Sequence, residues 1–270
     1  MRWRALAIAA LFVATAAGAT DVLPRHSARP RASPLAPGPS AVDARAASSE
    51  EVAAEPTAPP EPAAPPEPAP TPVSVPPGPL AIVVDHVQTT DRVVFVTIDD
   101  GYVRDLRVLQ LFQSEHLPAT LFLIAKVATV GADYFRALQA AGATIEDHTV
   151  NHPQLPRLAF DDQVREICDP IDRFTTLFGA RPTLFRPPYG LIDDATRRAA
   201  RQCGFGVVLR WTASMNGGRL ATSSGGALAP GDIILMHFRT DLFDNLTNLL
   251  GIVQRQGLRV GRLERYLSPR

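Results

Sequence analysis

Four short segments carry side chains that could do chemistry together. The first is Thr97-Ile98-Asp99-Asp100-Gly101, at the end of an apolar run. Two adjacent carboxylates at the C-terminal end of a strand face the rim where parallel α/β sheets build their sites. Consecutive strand side chains point to opposite faces, so both acids reach one site only if the chain curls as it leaves the strand, and Gly101 permits such a turn. Taken alone, Asp-Asp-Gly also reads as an ordinary strand-ending turn. The second segment is His148-Thr149-Val150-Asn151-His152, two imidazoles four residues apart, close enough on one helical turn or tight loop to grip one cation. No glutamate follows His148, which excludes the His-Glu-x-x-His helix of zinc proteases. Adding Asp100 completes a two-His, one-carboxylate set, which leaves open positions for water and substrate as catalytic metal sites require. Asp99 is then the spare carboxylate, placed to act as a general base.

The third segment, Phe185-Arg186-Pro187-Pro188-Tyr189-Gly190, ends a short strand with an arginine and stiffens the loop behind it with two prolines. A fixed guanidinium holds a carboxylate in one orientation through paired hydrogen bonds, which makes Arg186 a partner for Asp99. The alternative is a structural arginine in a rigid turn. The fourth, Ile234-Leu235-Met236-His237, is an apolar strand that delivers a histidine at its end, where it could serve as the general acid for a leaving amine. Of the chain's six histidines, His26, His86 and His116 have no such company.

Short apolar runs alternating with amphipathic segments from about Leu80 onward predict β/α units to position these groups. Strands are expected at Val93 to Ile98, Thr120 to Ile124, Thr144 to Glu146, Leu184 to Arg186, Val207 to Leu209 and Ile233 to Met236. Helical stripes run through Val164, Ile167, Ile171, Phe174 and Phe178, and through Leu246, Leu249, Leu250 and Val253. Pro170 is expected to kink or interrupt the first of these helices. Residues 80–270 are too few for a complete eight-fold barrel of about 250 residues, so the fold class is α/β, a distorted or incomplete (β/α) barrel.

The N-terminus reads as an export signal over residues 1–19, with a basic Met1-Arg-Trp-Arg4, an apolar stretch to Gly18 and a small-residue cleavage site. The apolar stretch is short for a membrane span, and an uncleaved N-terminal anchor is the alternative. Most of the 26 prolines lie between Pro24 and Pro79, so residues 20–79 read as an extended, disordered linker, either a spacer that lets a domain reach into a matrix outside the membrane or an inert tail. A formal net charge of +0 gives no electrostatic case for nucleic acid or an anionic membrane as partner, and no stable membrane partner is expected. Cys168 and Cys203 could form one bridge in an oxidising compartment or stay as two buried thiols.

The ordered occurrence of these four segments resembles the polysaccharide deacetylases of carbohydrate esterase family 4, whose shared unit is the NodB homology domain. The likeness covers about Asp91 to Arg270. It implies Asp99 as catalytic base, Asp100, His148 and His152 as ligands of a divalent metal, commonly zinc, and Arg186 orienting the base. It further implies an oxyanion held near the Tyr189 backbone, His237 as the acid and Leu235 lining an acetyl pocket. Ile98 replaces the family's Phe. The family's segment before the last strand supplies an Asp to partner the acid and a Trp to wall the pocket. The corresponding Trp211 to Gly218 stretch has no acidic residue and its Trp at the start, leaving Trp211 as the candidate wall. The resemblance implies a secreted or cell-wall-associated monomer that removes N-acetyl groups from peptidoglycan or an N-acetylglucosamine polymer. The alternatives are O-acetyl ester or cyclic-imide hydrolysis on the same site, or a wall-binding module with impaired catalysis.

Overall fold

The structure, a computed structural model, describes residues 78–267. The export signal read at residues 1–19, and all but the last two residues of the linker read at 20–79, lie outside it. In chain order the elements are β1 (Ile82–Val84), β2 (Val93–Asp100), α1 (Leu106–Glu115), β3 (Thr120–Leu123), α2 (Ala125–Val130), α3 (Ala132–Ala140), β4 (Thr144–Asp147), α4 (Phe160–Phe178), α5 (Asp194–Gln202), β5 (Val207–Leu209), β6 (Ala213–Asn216), β7 (Arg219–Thr222), β8 (Ile233–His237), α6 (Leu242–Arg255), β9 (Arg259–Val260) and α7 (Glu264–Leu267).

The strands run in the order β4-β3-β2-β8-β6-β7, parallel except for the β6–β7 hairpin, with β9 beside the start of β2. Single bridges from Phe185 to Asp147 and to Val208 join β4 to the parallel β1–β5 pair. The sheet is thus mixed and curls into a barrel that does not close. The strand expected at Leu184 to Arg186 shrinks to the bridges at Phe185, because Pro182, Pro187 and Pro188 flank it and cannot donate to a ladder.

β2 is buried along nearly its whole length, as a central parallel strand covered on both faces must be. Its alternation divides the core. Val94, Val96 and Ile98 join a cluster with Val108 and Phe112 of α1, Phe135 and Leu138 of α3 and Leu246 and Leu249 of α6. Val93 and Phe95 join the opposite cluster, with Phe122, Leu184, Val207, Ile233 and the α7 residues Tyr266 and Leu267. By the period of two, Thr97 and Asp99 continue this second, inner face. Ile98 packs among helices, so its replacement of Phe is a matter of core volume.

α4 runs as one helix from Phe160 to Phe178 with Pro170 buried inside it, so of the kink or interruption expected there the interruption does not occur. A mid-helix proline removes one backbone bond and presses on the preceding turn, at a cost of about 3 kcal/mol. Burial of Ile167, Ile171, Phe174 and Phe178 on one face offsets that cost, and the carbonyl that loses its partner finds another. Cys168 of α4 and Cys203 at the end of α5 form a disulfide, resolving the two readings of the cysteines.

Candidate active site

All four segments deliver their side chains to one mouth, at the C-terminal ends of β2, β4 and β8. The curl expected after the paired acids occurs at Asp100 itself, with φ +81°, and continues at Gly101, with φ +102°. A β-carbon on Gly101 would lie 2.9 Å from the Phe135 ring, so only glycine fits the bend. Asp99 stays on the inner face, and Asp100 is turned from the helical side toward the rim.

Arg186 is fully buried and its Nη1 donates to Asp99 Oδ1 and to Thr97 Oγ1, both at 2.7 Å. Nη2 donates to the Arg210 carbonyl at 3.2 Å, and the guanidinium lies 4.4 Å above the centre of the Phe122 ring. These contacts fix one face of the cation and leave Asp99 Oδ2 directed toward His148 Nε2, 3.7 Å away. Burial lowers the proton affinity of the guanidinium and Asp99 opposes the shift.

The two-histidine segment is a loop, with Thr149 and His152 in left-handed conformation at φ +70° and +63°. His148 Nδ1 donates to the Arg186 carbonyl at 2.7 Å, which places the proton on Nδ1 and leaves the Nε2 lone pair free. Burial also holds the imidazole below the usual histidine range, with Asp99 opposing. The ligand atoms of Asp100, His148 and His152 all lie within 4.8 Å of one another, and Asp100 Oδ1 is 3.7 Å from His148 Nε2 and 3.4 Å from His152 Nε2. Asp100 Oδ1 is buried with no hydrogen-bond partner among the described residues. A buried carboxylate oxygen without a donor beside two imidazoles fits a divalent cation, whose charge satisfies it and whose radius suits this spacing.

His237 stands in register with Asp99 across the β2–β8 pair. Partial burial pulls its proton affinity down, against the nearby charges of Asp99 and Asp100. Its Nδ1 is buried without a hydrogen-bond partner among the described residues. Two acids are taken up by bonds to and beside the Trp211–Gly218 stretch: Asp232 accepts from Thr212 and the Ala229 N–H, and Asp241 accepts from the Gly217 N–H and Asn245. Leu235 is buried in register with Thr97 and Ser214. Trp211 lies 5.8 Å from the Arg186 guanidinium, and a β-carbon on Gly190 would meet its ring at 2.8 Å, so the indole supports the Pro187–Gly190 turn from below. Tyr189, with φ +60°, is exposed at the rim with its ring centre 4.6 Å from that of His152.

Three contributors escaped sequence reading. Thr97 anchors Arg186 and was visible only as a motif neighbour of Asp99. Asp147 is buried just before His148; burial pushes its carboxyl well up, and its Oδ1 accepts the Thr149 N–H at 2.7 Å. Tyr102 is exposed at the rim, and burial together with the charge of Asp100 raises its phenol. Its position directly after Gly101 was the available signal.

Comparison with known proteins places this geometry in context. The family described as polysaccharide deacetylase matches residues 86–208. An uncharacterized protein of Streptomyces coelicolor is 40% identical over 191 residues, covering 68% of this chain and 77% of the relative. A peptidoglycan-N-acetylglucosamine deacetylase of Bacillus cereus is 27% identical over 152 residues, 53% of this chain, which spans only 55% of that protein. The solved Bc1960 peptidoglycan N-acetylglucosamine deacetylase shares the fold at a TM-score of 0.60 and 21% identity, over 70% of this chain and 95% of that one. The two-histidine loop and the clamped acid lie within the matched residues, and the chain is a member of the polysaccharide deacetylase family, the hydrolases of carbohydrate esterase family 4 with a NodB-type domain.

Proposed function

We propose that residues 80–270 form a zinc-dependent domain that hydrolyses N-acetyl groups on a wall polysaccharide, peptidoglycan or an N-acetylglucosamine polymer, and releases acetate. The observation that carries this reading is the juxtaposition of the Asp100, His148 and His152 ligand atoms with a separate carboxylate, Asp99, held by a buried arginine. A divalent cation bound by that triad would supply Lewis acidity toward an amide carbonyl and make a water easier to deprotonate. Asp99 takes the proton of the attacking water through Oδ2, the oxygen that Arg186 leaves open. Backbone at the Tyr189 turn faces the developing oxyanion, and Leu235 and Trp211 border the acetyl group. His237 carries the proton to the departing sugar nitrogen. The Cys168–Cys203 disulfide and the signal-like N-terminus support action outside the membrane, as a secreted or wall-associated protein. Among the described residues no helix is long and apolar enough to cross a membrane.

The partnerless Nδ1 of His237 favours one second reading, a wall-binding domain with impaired proton donation. Acetate release by the full-length protein from N-acetylglucosamine oligomers and peptidoglycan, with zinc supplied and the Asp99→Asn protein alongside, separates the two. Release by the parent alone supports the deacetylase. Saturable glycan binding with no release from either, with zinc in the site, supports the second reading.

A further inference from the structure

The loop that carries the two histidines has every backbone N–H accounted for. His148 N donates to the Leu123 carbonyl at 3.2 Å, Thr149 N to Asp147 Oδ1 at 2.7 Å and His152 N to Thr149 Oγ1 at 2.9 Å. The remaining two N–H groups go to one residue of α4. Val150 N donates to the Glu166 carbonyl at 3.1 Å, and Asn151 N to the Glu166 Oε2 at 2.9 Å, while Oε1 accepts from the Asn151 side-chain amide. A mid-helix carbonyl is ordinarily taken by the N–H four residues on, and here that residue is Pro170, which has none and whose ring crowds the carbonyl four residues before it.

We propose that Glu166 and Pro170 form a positioning device for the metal-binding loop: Pro170 releases the Glu166 carbonyl from α4, and Glu166 then grips Val150 and Asn151 between the two histidines. The inference rests on the metal reading of Asp100, His148 and His152 given above. It explains why a buried proline is retained inside an otherwise regular helix. It also explains how Thr149 and His152 are held in left-handed conformation, which non-glycine residues keep only where the surroundings over-determine it. The grip continues on the far side, where the Thr149 and Val150 carbonyls accept the N–H groups of Ala125 and Lys126, the first turn of α2, which has no side-chain cap. The loop is therefore clamped between two helix-borne sets of bonds, and only the α4 set depends on a missing N–H.

The test measures zinc affinity of the full-length, chelator-stripped protein by competition with a chromophoric chelator, together with the melting temperature of the metal-free form. In Pro170→Ala the restored helix bond draws the Glu166 carbonyl back, so the metal-free protein melts at or above the parent's temperature while zinc affinity falls roughly tenfold or more, the range usual for groups that hold metal ligands in place. Glu166→Ala loses affinity at least as strongly, and Glu166→Gln, which keeps an amide oxygen for the Asn151 N–H, recovers most of it. Affinities of Pro170→Ala and Glu166→Ala within twofold of the parent overturn the inference. So does a Pro170→Ala loss that merely tracks a lowered metal-free melting temperature, since that is ordinary destabilisation. A parent that binds no zinc overturns the metal reading beneath it, whereas a parent that binds with unchanged variants overturns only the positioning role.

Discussion

The Arg186–Asp99 pair offers a quantitative test of how the site is built. Both partners are essentially sealed from solvent, with side-chain exposures of 0% and 4%. Removing one member of a buried ion pair strands the other, which costs about 3–5 kcal/mol. In Arg186→Met the Asp99 carboxylate keeps His148 Nε2, 3.7 Å away, and the nearby His237 as groups able to carry positive charge, which sets the loss at the low end of that range, about 3 kcal/mol. In Asp99→Asn the guanidinium keeps Thr97, the Arg210 carbonyl and the Phe122 face, and the new amide oxygen still accepts from Nη1, so the loss is about 2 kcal/mol. The double variant contains neither stranded charge. It should lose only about 2 kcal/mol for packing and the hydrogen bond that Thr97 accepted, its hydroxyl still donating to the Ile234 carbonyl, which makes the coupling about 3 kcal/mol.

Thermal or urea unfolding of chelator-treated full-length protein at neutral pH reads this out. At about 2–4 °C per kcal/mol for a domain of this size, Arg186→Met melts about 6–12 °C below the parent, and the double variant melts no lower than that single variant. A double variant destabilised by the sum of the two singles would mean that the pair is not coupled. In that case the buried clamp, and the orientation of Asp99 derived from it, is wrong.

Burial pushes the carboxyls of Glu146 and Glu264 up, the charge of Glu264 adding to the shift at Glu146, and Glu264 Oε1 accepts from Thr120 at 2.7 Å while Oε2 has no partner among the described residues. The folded state therefore binds protons more tightly than the unfolded state. This contribution to stability is full below the ordinary carboxylate range and is lost as pH rises through the raised values. Glu264→Gln should stabilise the protein at neutral pH and flatten that decline; a melting temperature at pH 7 below the parent's refutes the assignment. The Cys168–Cys203 bridge closes a loop with a sequence separation of 35, worth about 4 kcal/mol by chain entropy. Reduction should lower the melting temperature by several degrees, and no change under reductant refutes it. Gly101→Ala forces an alanine into φ +102° against the Phe135 ring and should cost about 1–3 kcal/mol from the backbone alone, a claim undone by a melting temperature within about a degree of the parent's.

The candidate ligands were visible in sequence because their chemistry is local. Asp99-Asp100-Gly101 names two acids and the bend that follows, and His148 and His152 sit four apart whatever backbone joins them. What sequence could not show was which oxygen of Asp99 would be taken and which left, since that depends on Arg186 arriving from a segment 87 residues away. The incomplete barrel followed from the number of residues left for it, but the near loss of the strand at Phe185 did not. Three prolines there act through the ladder they fail to join, and an apolar run alone says nothing of its neighbour's register.

Pro170 shows the limit most clearly. Helix propensity treats a proline at that position only as a penalty, and on that basis a kink or a break in α4 is the expectation. The break does not occur because the acceptor left over by the proline is used by Val150, a residue of another element 20 positions earlier in the chain. A local rule that fails at one residue while the surrounding packing stays regular marks a place where long-range bonding has taken over the local one. That the replacement donor lies between two candidate metal ligands makes the irregularity part of the site rather than a flaw in the helix.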